Sequence, residues 1–182
     1  MSRIALIVGS LRRESINRRL AEAMVRLPAA RGHEFVRPAI GDLPLYNQDD
    51  DAAPPAEAVR LKHEIRAVDG VMFVTPEYNR SIPGVLKNAI DHASRPYGDN
   101  AWAKKPAGIV SVSGGKPGAA MAQQHLRNVL AYLDMPTLNQ PEAYVQCTDD
   151  LVTGGGEIGE ASRDFLNGWM EAFTRWVALH SS

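Results

Sequence analysis

Ile4-Ala5-Leu6-Ile7-Val8-Gly9-Ser10-Leu11-Arg12-Arg13-Glu14-Ser15-Ile16-Asn17-Arg18-Arg19-Leu20-Ala21 decides how the rest of this chain is read. The apolar run Ile4–Val8 marks a strand buried on both faces, as parallel sheets require. Gly9 ends the run, and hydroxyl, amide and guanidinium groups follow at Ser10, Arg12, Ser15 and Asn17. Leu20, Met24 and Leu27 then recur at helical spacing. A strand, a polar loop and a helix N-terminus in that order favour an anion, because free backbone N–H groups and the helix dipole both point at the loop. Ser and Asn can donate to phosphate oxygens, and Arg adds charge. The loop has neither G-x-x-x-x-G-K-[ST] nor G-x-G-x-x-G. Side chains stand where those motifs have glycine, which suits a terminal phosphomonoester better than a bridging pyrophosphate. A plain βα turn with a Ser cap and nothing bound explains this one stretch equally well.

Working outward, apolar runs alternate with helical patterns. The sequence predicts helices over 15–27, 56–67, 83–93, 118–133 and 160–179, and strands over 4–8, 34–38, 70–75 and 107–112. A fifth strand over 137–145 is broken by Pro141. The strand at 34–38 is poor in apolar residues and is expected at a sheet edge. Phe165, Trp169, Phe173 and Trp176 form an aromatic stripe expected to pack in the core. Strands alternating with helices imply an α/β fold of βαβ units around a parallel sheet. Five strands favour the order 2-1-3-4-5 in one domain spanning residues 1–182, with helices on both faces. Ligands of such sheets bind outside the carboxyl ends of the strands, where the order reverses between strands one and three. The loops after strands one, three and four should therefore converge.

Composition narrows the function classes. The chain has 182 residues and a formal net charge of −1, so no basic stripe points to nucleic acid. No apolar run approaches the ~20 residues of a membrane span. The N-terminus lacks the apolar region of a signal peptide, and the cytoplasm is the expected compartment. The single Cys147 excludes an internal disulfide and any Cys-based zinc site. Asp49-Asp50-Asp51 read as a solvated loop; a metal site would need ligands from several directions. The five histidines form no i, i+4 pair, and no metal ligand set is expected.

The third strand runs into Pro76-Glu77-Tyr78-Asn79-Arg80-Ser81-Ile82-Pro83-Gly84, and the fourth into Ser113-Gly114-Gly115-Lys116-Pro117-Gly118. The first can present a flat surface, backbone amides and one positive charge to a planar heterocycle. Glycines in the second allow close backbone approach. At this point the chain resembles the NADPH-dependent FMN reductase family, the flavodoxin-like group that includes quinone and chromate reductases and some azoreductases. The segments that carry the resemblance are Gly9-Ser10-Leu11-Arg12-x-x-Ser15-x-Asn17, Asp42-Leu43-Pro44-Leu45-Tyr46-Asn47 and Pro76-Glu77-Tyr78-Asn79-x-Ser81-x-Pro83-Gly84-x-Leu86-Lys87-Asn88-Ala89-Ile90-Asp91, with His125-Leu126-Arg127 beyond them.

The resemblance implies a flavodoxin-like three-layer sandwich holding FMN. Ser10, Arg12, Ser15 and Asn17, with the amide of Ile16, would hold the phosphate. Pro76, Glu77, Tyr78, Asn79 and Arg80 would line the isoalloxazine, largely through backbone. Ser113, Gly114 and Gly115 would approach the pyrimidine edge or ribityl chain. Arg80 stands where such motifs vary; the 2′-phosphate of NADPH, a neighbouring subunit and solvent are its three candidate partners. NADPH or NADH would supply hydride and a quinone, azo compound, chromate or free flavin would take the electrons in a ping-pong cycle. No side chain is expected to act as a catalytic acid or base, since the flavin carries the chemistry. A homodimer or homotetramer is implied, with Lys87, Asp91, His125 and Arg127 on the helices where contacts would fall. A flavodoxin-like electron carrier that does not oxidise NAD(P)H directly is the alternative, although 21 acidic against 20 basic residues give no strongly acidic surface.

Overall fold

A computed structural model describes residues 1–181. Five strands form it: β1 (Arg3–Val8), β2 (Glu34–Val36), β3 (Gly70–Thr75), β4 (Ala107–Ser113) and β5 (Ala143–Gln146). All pair in parallel, in the order β2-β1-β3-β4-β5. The helices are α1 (Ile16–Met24), α2 (Ala56–Arg66), α3 (Gly84–Ser94), α4 (Ala120–Tyr132) and α5 (Glu160–His180).

Strand alternation divides the core into two layers. Ile4, Leu6, Met72, Val74, Val110 and Val112 face α1 and α5, meeting Leu20, Met24, Trp169 and Phe173. Ala5, Ile7, Val71, Phe73 and Ile109 face the other way, against Leu61, Ile65, Leu86, Ile90, Leu126 and Leu130 of α2, α3 and α4. Period two therefore sends adjacent residues of β1 and β3 into opposite layers. Gly108 sets how closely α5 lies on the sheet. A Cβ there would come within 2.5 Å of the Phe173 ring, which stacks on Trp169 at a centroid distance of 5.3 Å.

The structure departs from the sequence-based expectations at four places. α1 stops at Met24 because Pro28 holds Leu27 extended, at ψ 149°. β2 is shorter than expected and ends before Pro38, which has no N–H for the ladder. β5 begins only at Ala143; Pro141 interrupts the stretch, and Thr137 makes an isolated bridge to Ala107. In α5 the buried line is Leu166, Trp169, Met170, Phe173 and Val177, while Phe165 is 47% exposed. Repeated spacing of four overshoots the 3.6 residues of one turn, so the stripe drifts off the core face at its first residue.

Candidate cofactor site

The loop after β1 is the first wall. Gly9 N–H donates to the Val74 carbonyl at 2.9 Å, tying this loop to the end of β3. Ser15 is the N-cap of α1, and its hydroxyl accepts from Arg18 N–H at 3.2 Å. The cap satisfies one of the helix's opening donors. The N–H groups of Ile16 and Asn17 have no acceptor among the described residues. Ser10, Ser15 and Asn17 are buried, whereas Arg12 lies exposed at the rim. Asn17 is only 3% exposed and its Oδ1 has no hydrogen-bond partner. A half-turn of the terminal amide would put its NH₂, a phosphate donor, in the same place. Buried polar groups are ordinarily satisfied, so an unspent amide beside two unspent helix donors marks a place built for a ligand. That donor set fits the phosphate of FMN.

The loop after β3 is a tight hairpin. Tyr78 and Ser81 exchange both backbone hydrogen bonds, at 2.9 and 3.0 Å. Asn79 and Arg80 at its tip adopt φ of 51° and 65°, the left-handed conformations of a two-residue turn. Pro76 is buried at the base, and its carbonyl accepts from Thr75 Oγ1 at 2.9 Å. Tyr78, Asn79 and Arg80 are exposed, with Tyr78 at 55%. The Arg80 guanidinium points outward, 3.7 Å from Glu77 Oε1. Glu77 itself turns sideways: its Oε2 accepts from Ala122 N–H in the first turn of α4 at 3.1 Å. α4 has no cap of its own, since Ala119 before it is left-handed and makes no side-chain cap bond. The Glu77 carboxylate therefore caps a helix from another loop, where the dipole favours negative charge. On the far side of the hairpin, Ser81 Oγ lies 3.0 Å from His125 Nδ1.

The loop after β4 completes the arrangement. Ser113 Oγ donates to the Gly115 carbonyl at 3.3 Å, which also accepts from Gly118 N–H at 3.1 Å. Gly114 and Gly115 are exposed, and a Cβ on Gly114 would meet nothing within 4 Å. Gly118, at φ 59°, lies so close to the Tyr144–Val145 backbone that a Cβ would come within 2.5 Å. Parallel pairing sets Val8 beside Val74 and Val74 beside Val110, so all three loops leave the same edge of the sheet on neighbouring strands. Neighbouring strands are about 4.8 Å apart, which spaces the three walls over roughly 10 Å.

Two segments carrying the family resemblance prove to be joined. Asn88 of α3 donates to the Pro44 carbonyl at 2.8 Å and accepts from Tyr46 N–H at 2.9 Å. His92 Nε2 lies 2.9 Å from the same Pro44 carbonyl. Asp42 binds Arg60 at 2.6 Å, and that guanidinium holds the Asp42 carboxyl below its ordinary pKa. The long loop after β2 is thus clamped to α2 and α3. Asp51 accepts from the Tyr46 hydroxyl at 3.0 Å, and Asp49 N–H donates to the Asn47 side chain at 3.1 Å. Among the described residues no group of three or more metal-ligating side chains is gathered.

Ser10, Arg12, Ser15, Ile16 and Asn17 therefore lie on one wall, Pro76 to Arg80 on the next, and Ser113 to Gly115 on the third. The sequence reading missed the cap that Glu77 supplies to α4 and the clamp that Asn88 forms. Ala119-Ala120-Met121-Ala122, an N-terminus without Ser, Thr, Asp or Asn, was the one available sign that a cap must come from elsewhere. Lys87 and Asp91 pair with each other at 2.8 Å. Arg127, only 15% exposed in its side chain, turns to Glu142 and the Leu138 carbonyl.

Comparison with known proteins bears on the family and the fold. The model of the family described as NADPH-dependent FMN reductase matches residues 2–150. A quinone reductase of Pseudomonas putida is 48% identical over 179 residues, covering 97% of this chain and 95% of the relative. A 2-hydroxy-1,4-benzoquinone reductase of a Burkholderia species is 48% identical over 177 residues, covering 96% of each. The solved structure of FerB, a flavoenzyme NAD(P)H:(acceptor) oxidoreductase from Paracoccus denitrificans, superposes with a TM-score of 0.95 at 42% identity over the whole of both chains. Shared motifs, sheet order and near-complete alignment lead to one conclusion: the chain belongs to the NADPH-dependent FMN reductase family.

Proposed function

We propose that this protein is an FMN-dependent NAD(P)H oxidoreductase that passes electrons to quinone-like acceptors. The observation that carries the reading is the meeting of three walls on adjacent strands. One holds unspent phosphate donors, one presents an exposed hairpin, and one approaches with glycine backbone. The enzymes of Pseudomonas and Burkholderia that align along nearly the whole chain support the quinone class of acceptor.

When bound, FMN supplies the redox chemistry, taking hydride from NAD(P)H and giving electrons to the acceptor. The chain supplies anchorage and orientation. Ser10, Arg12, Ser15 and Asn17, with the amides opening α1, hold the phosphate. The helix dipole adds to Arg12 in favouring the dianion. Pro76 to Arg80 orient the ring through a hairpin whose shape is fixed by its own hydrogen bonds and by the Glu77 cap. Ser113, Gly114 and Gly115 leave room beside the fourth strand. Tyr78 and Arg80 stand exposed on the hairpin that would line the ring, and a ping-pong cycle needs one ring face accessible to two successive substrates.

The same reading extends to assembly and place. A groove of about 530 Å³ between α3 and α4 is flanked by Tyr97 and Tyr132, 87% and 80% exposed, and takes in Lys87 and Asp91. Exposed aromatics in a groove at the C-terminal ends of α3 and α4 favour a second copy of the chain, as homodimer or homotetramer. No described helix is long and apolar enough to cross a membrane. The compartment on this reading is the cytoplasm, where reduced nicotinamide nucleotides are the electron source. Azo compounds, chromate and free flavin are further acceptors that an open ring face admits.

The test is the absorption spectrum of the purified protein, followed by NADPH and NADH oxidation with a quinone added. A yellow protein that bleaches rapidly with NAD(P)H and recovers with quinone is expected. A colourless protein that also fails to bind added FMN sinks the proposal. Light scattering of the eluted protein reads the oligomer, and a monomer at all concentrations removes the assembly proposal alone.

A further inference from the structure

A pocket of about 300 Å³ opens between α1 and the chain leaving β2, and no role assigned above uses it. It begins at Ser10, the residue placed on the phosphate, and runs toward β2, away from the hairpin that orients the ring. Leu11 and Pro38 supply apolar surface, while Arg18, Glu22 and Arg37 supply charge. Gly41 closes the wall: a Cβ there would lie 2.6 Å from Leu11.

The charges are not equivalent. Arg37 is gripped by Glu22 through two hydrogen bonds, of 2.7 and 2.6 Å, and also donates to the Phe35 carbonyl at 2.9 Å. This pairing holds the Glu22 carboxyl below its ordinary pKa. Glu22 and Arg37 thus form a rigid, internally neutral wall. Arg18, one turn from the Ser15 cap, makes no hydrogen bond or ion pair through its side chain among the described residues. Apolar surface, a fixed guanidinium plane and one uncommitted cation are what a flat base carrying a phosphate requires. The location suits it as well, since doubly wound sheets bind nucleotide halves outside the carboxyl ends of their strands.

We propose that this pocket is an adenosine-phosphate subsite adjoining the phosphate anchor, an assignment that rests on the FMN reading of that anchor. Arg18 meets the phosphate, and Leu11, Pro38 and the Arg37 plane enclose the base. Two molecules carry this chemistry. One is FAD, whose adenosine half would lie beyond a flavin phosphate held at Ser10. The other is NADPH, whose adenosine 2′-phosphate would lie there while its nicotinamide reaches the ring.

The experiment uses full-length protein in its purified, FMN-loaded form. Calorimetric titration with AMP and with 2′,5′-ADP is expected to show saturable binding. Arg18→Ala weakens it by about ten- to a hundredfold, as loss of a charge-assisted hydrogen bond does. Arg18→Glu abolishes it, and Arg31→Ala, an exposed arginine that does not line the pocket, leaves it unchanged. Incubation with excess FAD, followed by chromatography of the retained flavin, separates the sources. If FAD is the occupant it displaces FMN in the wild type but not in Arg18→Glu. If NADPH is the occupant, FMN is retained, 2′,5′-ADP competes with NADPH, and Arg18→Ala raises KM for NADPH at constant kcat. Absence of adenosine-phosphate binding, or binding unaltered by both Arg18 substitutions, overturns the subsite while a yellow protein leaves the FMN reading intact. A colourless protein strikes the FMN reading, and calorimetry still reports on the pocket.

Discussion

Replacing Asn17 by leucine should move stability and cofactor affinity in opposite directions. Asn17 is 3% exposed, and its Oδ1 has no partner. An unsatisfied buried polar atom costs about 1–3 kcal/mol, and a similarly sized apolar side chain removes that cost. At about 2–4 °C per kcal/mol for a chain of this size, FMN-free Asn17→Leu should melt ~2–12 °C above the FMN-free wild type. With FMN the order reverses in part. A ligand at a thousandfold its Kd adds about 4 kcal/mol to the folded state. Losing one hydrogen bond to a charged phosphate removes about 1.5–3 kcal/mol of that, a ten- to hundredfold rise in Kd. The assay is thermal melting by circular dichroism, with and without saturating FMN, beside a fluorescence titration of the flavin. A variant that melts below the wild type without FMN, or that shows the full wild-type shift with FMN, refutes the reasoning. In the first case the amide is structural; in the second it does not face the phosphate.

Three further predictions concern other parts of the molecule. Arg12→Ala should raise the Kd for FMN about ten- to a hundredfold, the effect of one charge-assisted contact, while enzyme kept loaded with FMN turns over normally; slow turnover with normal retention would remove Arg12 from the anchor. Glu77→Ala uncaps α4 and should lower Tm by about 1–8 °C, from a cap contribution of about 0.5–2 kcal/mol. Arg80→Ala, whose ion pair to Glu77 is largely exposed, should leave Tm unchanged, and equal losses in both variants would contradict the cap. His33 is held below its ordinary pKa of 6.5 by burial, and its Nδ1 accepts from Ser2 N–H at 3.3 Å. Below pH 6.5 the unfolded chain binds a proton that the folded chain resists, so this contribution is full above that pH and declines as pH falls through it. Urea midpoints between pH 8 and 5 should show the decline, and His33→Gln should flatten it.

Much of this architecture is legible in the sequence itself. β1, β3 and β4 are mainly apolar runs that end at Gly or Pro, and their alternation with helical segments leaves few sheet orders open. Three converging loops follow from that order. What escaped were contacts between segments distant in the chain. Glu77 reads as one more polar residue of a flavin loop; only α4's lack of a cap, visible once the helix is laid beside the loop, reveals its work. Asn88 and Pro44 carry the family resemblance, yet their hydrogen bond joins residues 44 positions apart in the chain. Phe165 looked like a core residue because its spacing to Trp169 is helical, but Leu166 holds the core position. Lys87 and Asp91 were placed on a face where subunits would meet, and their mutual ion pair is a local event that spacing permits without requiring.

The pairing of β1 with β3 also governs when the cofactor can enter. β2, α1 and α2 all lie between the two strands in sequence, so the anchor and the hairpin stay apart until a long loop has closed. Closing it costs chain entropy that is recovered only once the parallel ladder forms. FMN then binds a surface that exists only in the assembled sheet. Its affinity acts on the global equilibrium, slowing unfolding of the whole molecule and leaving the early steps of folding untouched. In a cell short of flavin, the chain would reach the same native topology at the same rate, and lose it sooner.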